Sequence, residues 1–173
     1  MHPLETFHFC PKCGAKKFEI KDAGSKKCAV CGFWYYANAS AAVTPFILDG
    51  NDNLICTLRK EDPGKGKMDL PGGFVDIGER IEDALIRETK EELNIDITDA
   101  KFLFSFPNVY AFGGYTQHPI DLFFECKAKD LSTLKAGDDV SEIILIKKSE
   151  INPQDFVFES SRNAVKAWLA IKK

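Results

Sequence analysis

Gly73-Phe74-Val75-Asp76-Ile77-Gly78-Glu79, joined through seven residues to Arg87-Glu88-Thr89-Lys90-Glu91-Glu92-Leu93-Asn94-Ile95, is the stretch whose reading decides the fold. Ile81, Ala84, Leu85, Thr89 and Leu93 recur at three- and four-residue steps, which predicts an amphipathic helix with one face toward a core. From Glu79 to Glu92 six acids (Glu79, Glu82, Asp83, Glu88, Glu91, Glu92) stand against three bases (Arg80, Arg87, Lys90), a local balance of −3, equal to the net charge of the whole chain. The acids are expected mostly off the apolar face. Glu88, Glu91 and Glu92 stand at i, i+3 and i+4, so a helix makes them neighbours, and like charges at that spacing repel. A hard divalent cation removes the repulsion. Mg2+ takes oxygen ligands, uses few carboxylates and completes its shell with water and substrate phosphates. Arg87, on the neighbouring edge, can pair with Glu91 one turn on or with Glu79.

These residues resemble the signature of the Nudix hydrolases: a glycine, a glutamate after five residues, Arg-Glu after seven more, then Glu-Glu and an apolar ending. Leu70-Pro71-Gly72-Gly73 ahead of the stretch is also similar to that family. Three positions depart from the pattern. Asn94 stands where a glycine is usual and can take the same left-handed C-cap; Arg80 replaces a small capping hydroxyl residue; Met68 stands where tryptophan is common. The resemblance covers about residues 38–173 and implies an α/β fold, an α/β/α sandwich on a mixed sheet. It implies Mg2+ or Mn2+ held by Glu88, Glu91 and Glu92, with Glu79 and Arg87 orienting the array and a main-chain carbonyl of Gly72 or Gly73 joining it. An acid before a late strand, Asp139 or Glu142, would be a further ligand or the general base, a role open also to Glu88. The implied reaction is hydrolysis of a pyrophosphate bond in a nucleoside diphosphate joined to another group.

The six cysteines divide into two sets. Cys10-Pro11-Lys12-Cys13 and Cys28-Ala29-Val30-Cys31 are paired knuckles, each followed by glycine, with fourteen residues between them. Four thiolates at this spacing close a tetrahedral shell around structural Zn2+, with no open position for catalysis. Two disulfides or a redox pair are the alternatives, which the absence of a secretion signal disfavours. Residues 1–36 thus read as a zinc ribbon too small to fold without its metal, and residues 37–173 as the Nudix domain. Lys16, Lys17, Lys26 and Lys27 on the ribbon read as solvated charge rather than a nucleic-acid surface. Cys56 and Cys126 lie in apolar runs and read as core residues.

A chain of 173 residues with 45% hydrophobic and 28% charged residues has the composition of a globular protein. Its pI near 5.7 makes nucleic acid an unexpected main partner. No apolar run reaches bilayer length, and Met1-His2-Pro3-Leu4-Glu5 lacks a signal-peptide pattern, so the expected location is the cytoplasm. The Gly/Asn/Asp-rich turn 49–53 predicts a hairpin between strands 41–48 and 54–59. Strands are also expected over 101–106, 120–127 and 143–146, and a closing amphipathic helix over 156–173, capped by Ser160 or Ser161, with Val165, Trp168 and Leu169 inward.

Candidate substrate contacts are Arg59 and the aromatics Tyr110, Phe112 and Tyr115. The rings could stack on a flat base or pack their loop onto the core. His118 reads as a loop histidine without a partner. Ribbon plus signature resembles the NADH pyrophosphatase branch, but Ser105-Phe106-Pro107-Asn108 keeps only a fragment of that branch's further motif, which widens the expected substrates to NADH, ADP-ribose, FAD or a similar dinucleotide. The resemblance leaves room for a homodimer. Two other classes remain: a nucleotide-sensing Nudix domain without turnover, and an RNA-binding or decapping protein.

Overall fold

The computed structural model describes residues 2–171. The ribbon is a three-stranded antiparallel sheet of β1 (Phe18–Asp22), β2 (Ser25–Cys28) and β3 (Trp34–Tyr36). Phe18 and the Cys10 and Cys28 side chains are its buried cluster. Lys26 does not lie in solvent as its neighbours' pattern predicts. It is 5% exposed, its ammonium donates to the Phe7 carbonyl at 2.7 Å and stands over the Phe18 ring, because the segment before the first knuckle folds back over β2.

The rest of the chain runs β4 (Ala41–Ile47), β5 (Asn53–Arg59), β6 (Met68–Asp69), β7 (Gly73–Phe74), α1 (Ile81–Leu93), β8 (Ile97–Pro107), β9 (Tyr110–Phe112), β10 (Tyr115–Gln117), β11 (Ile120–Ala128), β12 (Val140–Lys147) and α2 (Glu159–Ile171). One sheet has the order β7-β4-β11-β8, with β4 and β11 parallel and the outer pairs antiparallel. A second, antiparallel sheet has the order β12-β5-β6. The hairpin expected of 41–48 and 54–59 does not form. β4 gives its two edges to β7 and β11, and β5 gives its edges to β12 and β6, so the two strands meet only at a Leu48–Leu54 bridge.

Strand alternation then sorts the core into two layers. Val43, Ile47, Ile55, Phe124 and Cys126 pack with Ala84, Leu85 and Leu93 of α1. Phe46, Leu54, Cys56 and Phe123 point the other way, onto Ala164, Val165 and Trp168 of α2, with Leu169 partly buried beside them. Trp168 stacks on Phe46 at 4.9 Å. A mixed sheet layer between two helices is the expected α/β/α sandwich, and burial of each large side chain stabilises it by about 2 kcal/mol.

Both helix ends bear on the site. α1 starts at Arg80 without a side-chain cap and ends at Asn94 in the left-handed conformation (φ 55°), whose N–H donates to the Lys90 carbonyl. The predicted caps of α2 lie inside the helix. Its first backbone bond runs from the Arg162 N–H to the Phe158 carbonyl, which leaves Ser160 and Ser161 on the first turn, buried and facing the sheets. Lys172 and Lys173 of the predicted helix lie outside the described residues.

Candidate functional site

In the ribbon the four sulfurs of Cys10, Cys13, Cys28 and Cys31 lie within 4.8 Å of one another. The Cys10–Cys31 and Cys13–Cys28 separations are 3.7 Å, close to the edge of about 3.8 Å that a tetrahedron with Zn–S near 2.3 Å requires. Gly14 and Gly32, both at φ 73°, donate N–H to the Cys10 and Cys28 carbonyls and turn each knuckle. The four thiolates therefore fit Zn2+ in a closed, structural site.

The second site is a cleft of about 320 Å3 between α1, the two sheets and the start of α2. At one end lies the acidic array. The four-residue step that buries Leu85, Thr89 and Leu93 also turns Glu88 and Glu92 inward, each only 9% exposed. The expectation that the acids lie off the apolar face holds for Glu82, Asp83 and Glu91 but not for these two. They sit beneath the Gly72-Gly73 corner, where close approach is possible only because the corner has no side chains. A Cβ on Gly73 would stand 2.6 Å from the Glu88 carboxyl, and one on Gly72 (φ 128°) would run into the Val43 carbonyl.

Arg87 ties the array together. Its Nε and Nη2 donate to the two oxygens of Glu79 at 2.9 and 2.8 Å, Nη2 also reaches the Phe74 carbonyl, and Nη1 donates to Glu88 at 2.7 Å and Glu91 at 3.0 Å. This fork holds the Glu79 carboxyl down at about 2, helped by the Asp76 N–H, and raises the pKa of the guanidinium. The Gly72 N–H donates to Glu92 Oε2 at 2.7 Å. Each of Glu88, Glu91 and Glu92 thus has one oxygen fixed, and its other oxygen accepts no hydrogen bond from the described residues. Loss of water on burial raises the Glu88 carboxyl and pushes Glu92 up to about 8, with Glu88 and Asp69 adding repulsion. Oxygen donors held close, with proton affinities raised by mutual charge and burial, are what a hard divalent cation replaces protons at. The donor set fits Mg2+ or Mn2+.

The rest of the cleft is lined by the expected Arg59 and Tyr110 together with Asp69, Asp121, Phe158 and Ser161, which the sequence reading did not assign to a site. Arg59 lies beside the packed pair of Tyr110 and Phe158 rings, 5.8 and 5.1 Å from their centroids, which are 5.7 Å apart. It donates to the Tyr110 hydroxyl and faces Asp69 at 3.5 Å. Asp69 accepts from the Ser161 hydroxyl and the Leu70 N–H, and burial pushes it up to about 6. Asp121 accepts from the Ser160 hydroxyl at 2.6 Å and from Asn108 Nδ2 at 2.9 Å. The sequence does carry a signal for both acids: each is a lone carboxylate in an apolar strand run, Met68-Asp69-Leu70 and Ile120-Asp121-Leu122, a position that demands a partner or a role.

Of the sequence-predicted site residues, Arg59, Gly72, Gly73, Arg87, Glu88, Glu91, Glu92, Tyr110 and Asp139 line the cleft, and Glu79 stands behind them on Arg87. Asp139 is an exposed lip residue beside Asp138, whereas Glu142 belongs to β12 and lies outside the lining. Phe112 and Tyr115 lie outside it too. They belong to the β9–β10 hairpin, where Phe112 is exposed and Tyr115 packs edge-on against Phe7 of the ribbon. Tyr110 opens β9 two residues after the lining residue Asn108, whereas Phe112 and Tyr115 flank the Gly113-Gly114 tip of the hairpin.

A carboxylate-bearing helix seated under a Pro-Gly-Gly corner, inside an α/β/α sandwich, defines a Nudix protein. The NUDIX domain model matches residues 38–168, and the chain belongs to that family. Among curated proteins it is 30% identical over 112 residues to an NAD-capped RNA hydrolase NudC of Haemophilus influenzae, covering 62% of this chain and 42% of that one. It is 37% identical over 99 residues to the ADP-ribose pyrophosphatase of Methanocaldococcus jannaschii, covering 56% of this chain and 55% of that one. The chain thus spans about half or less of the length of these relatives. Among solved structures, a NUDIX hydrolase from Nitrosomonas europaea superposes with a TM-score of 0.71 at 24% identity, over 95% of this chain and 91% of that one. No helix among the described residues is long and apolar enough to cross a membrane.

Proposed function

We propose that the chain hydrolyses the pyrophosphate bond of a nucleoside diphosphate linked to a second group, with residues 1–36 as a structural zinc ribbon and residues 37–173 as the catalytic domain. The observation that carries this reading is the carboxylate array: three glutamates of one helix, each with one oxygen fixed by Arg87 or the Gly72 N–H and one left toward the cleft. Mg2+ or Mn2+ bound there neutralises phosphate charge and lowers the pKa of a bound water. Glu88, Glu91 and Glu92 supply ligand oxygens. Glu79 and the Arg87 fork fix the rotamers of that set, so little reorganisation accompanies binding. The Gly72-Gly73 corner lets the phosphates approach the main chain, and Asp139 stands at the lip as a further carboxylate. Arg59 and Tyr110, in the lining of the same cleft, contact the nucleoside side of the substrate.

The two curated relatives named above act, by their names, on NAD-capped RNA and ADP-ribose, which supports a dinucleotide-like substrate. The experiment is a product assay with Mg2+ against NADH, NAD+, ADP-ribose, FAD, diadenosine polyphosphates and capped RNA. Metal-dependent release of a nucleoside monophosphate is expected from at least one, reduced by orders of magnitude in Glu92→Gln. Turnover of none of them, or near-normal turnover by a folded Glu92→Gln protein, would refute the proposal.

A further inference from the structure

In the same cleft as the acidic array stands a hydrogen-bond acceptor whose orientation is fixed. Asp121 is 6% exposed, lines the cleft, and has both its donors on one oxygen: Ser160 Oγ and Asn108 Nδ2 both donate to Oδ2. Those donors are themselves held, Ser160 by the first turn of α2 and Asn108 by accepting the Val109 N–H. Oδ1 accepts from no described residue. Asp69, its counterpart on the other sheet, is by contrast engaged on both oxygens, with Ser161 and the Leu70 N–H on one and Arg59 facing the other. Asp121 Oδ1 therefore keeps an open acceptor position in the lining of the cleft, where a bound group can supply the donor in place of solvent. Tyr110 and Phe158, two residues from Asn108 and Ser160 respectively, furnish flat apolar walls in the same cleft, and the carboxylate array claims the phosphates.

We infer that Asp121 Oδ1 reads the amino group of the substrate's nucleobase, making the cleft selective for an amino-bearing purine over its 6-oxo counterpart. This rests on the pyrophosphatase reading of the same cleft but is testable without turnover. A pocket built to accept from an N–H rejects an analogue that presents a carbonyl there, because two acceptors then face each other.

The locked geometry makes the substitution Asp121→Asn unusually informative. The amide oxygen must occupy the Oδ2 place, since both donors point at it, and the amide NH2 then takes the place of Oδ1. The change converts acceptor to donor at one position, with no change of shape.

The experiment measures equilibrium binding of AMP and IMP in Mg2+ to the full-length wild-type protein, to Asp121→Asn and to Ser160→Ala, and kcat/KM for NAD+ and its hypoxanthine analogue wherever turnover is found. Wild type is expected to favour AMP by about tenfold to a hundredfold, the scale of one hydrogen bond to a charged group. Asp121→Asn is expected to invert the preference. Ser160→Ala, which removes one of the two locking donors, should reduce the discrimination without inverting it. An AMP-to-IMP ratio near one in wild type, or one unchanged by Asp121→Asn in a folded protein, overturns the inference, as does failure of both nucleotides to bind. Absence of hydrolysis with the binding inversion intact would instead sink only the catalytic reading.

Discussion

The charge of Glu92 is costly where the fold buries it, and replacing the residue by glutamine should remove that cost. Burial pushes its carboxyl from 4.5 up to about 8, with Glu88 and Asp69 raising it further and the Gly72 N–H and Arg59 lowering it. The folded-state value lies above the unfolded one, so folding favours the protonated form. No penalty exists below about pH 4.5; it grows as pH rises from 4.5 to 8 and is complete above 8. At 1.36 kcal/mol for each step in pKa, the loss at pH 8 is about 4 kcal/mol. Glutamine is neutral at every pH, nearly the same shape, and keeps an oxygen to accept from the Gly72 N–H. In a protein of this size each kcal/mol moves Tm by about 2–4 °C. Glu92→Gln is therefore expected to melt about 8–16 °C higher than wild type at pH 8, in buffer free of added Mg2+ but without chelator, so that the ribbon keeps its zinc. The gap should close toward pH 4.5. Glu88 and Asp69 repel the Glu92 charge, so the difference between the two proteins reports Glu92 together with its coupling to those two carboxylates. Adding Mg2+ at pH 8 should raise the wild-type Tm more than that of the variant. A Glu92→Gln protein no more stable than wild type at pH 8, or a gap independent of pH, would refute the argument.

Two further outcomes follow from the geometry. Arg87→Lys keeps the charge but cannot grip both Glu79 oxygens while reaching Glu88 and Glu91; it should cost about 2–3 kcal/mol in thermal or denaturant unfolding and lower kcat, and a variant matching wild type in both would show that the fork is not what orders the array. Zinc removal by a chelator, or Cys28→Ser, should melt the ribbon, whose cluster of buried residues is Cys10, Phe18 and Cys28 with Ala15 and Phe33 partly buried against it; limited proteolysis should then cut within 1–36 while the sandwich survives, and an intact ribbon after zinc loss would contradict the assignment.

The sequence by itself determined what short-range spacing can determine. Helical periodicity placed α1 and its Asn94 cap, the knuckle spacing placed the zinc thiolates, and the fixed intervals from Gly73 to Glu92 placed the acidic array, because each of these depends on residues within one element or one turn of each other. Strand pairing depends on which edges are free, and so the hairpin expected of 41–48 and 54–59 gave way to two sheets once β7, β11, β12 and β6 had occupied the edges of β4 and β5. The inward turn of Glu88 and Glu92 was equally invisible, since it needs a glycine corner brought over the helix from another strand. Ser160 and Ser161 read as helix caps because serine is a good cap. Only the packing of α2 across both sheets makes them donors to Asp121 and Asp69, and only that packing leaves one carboxylate oxygen facing the cleft.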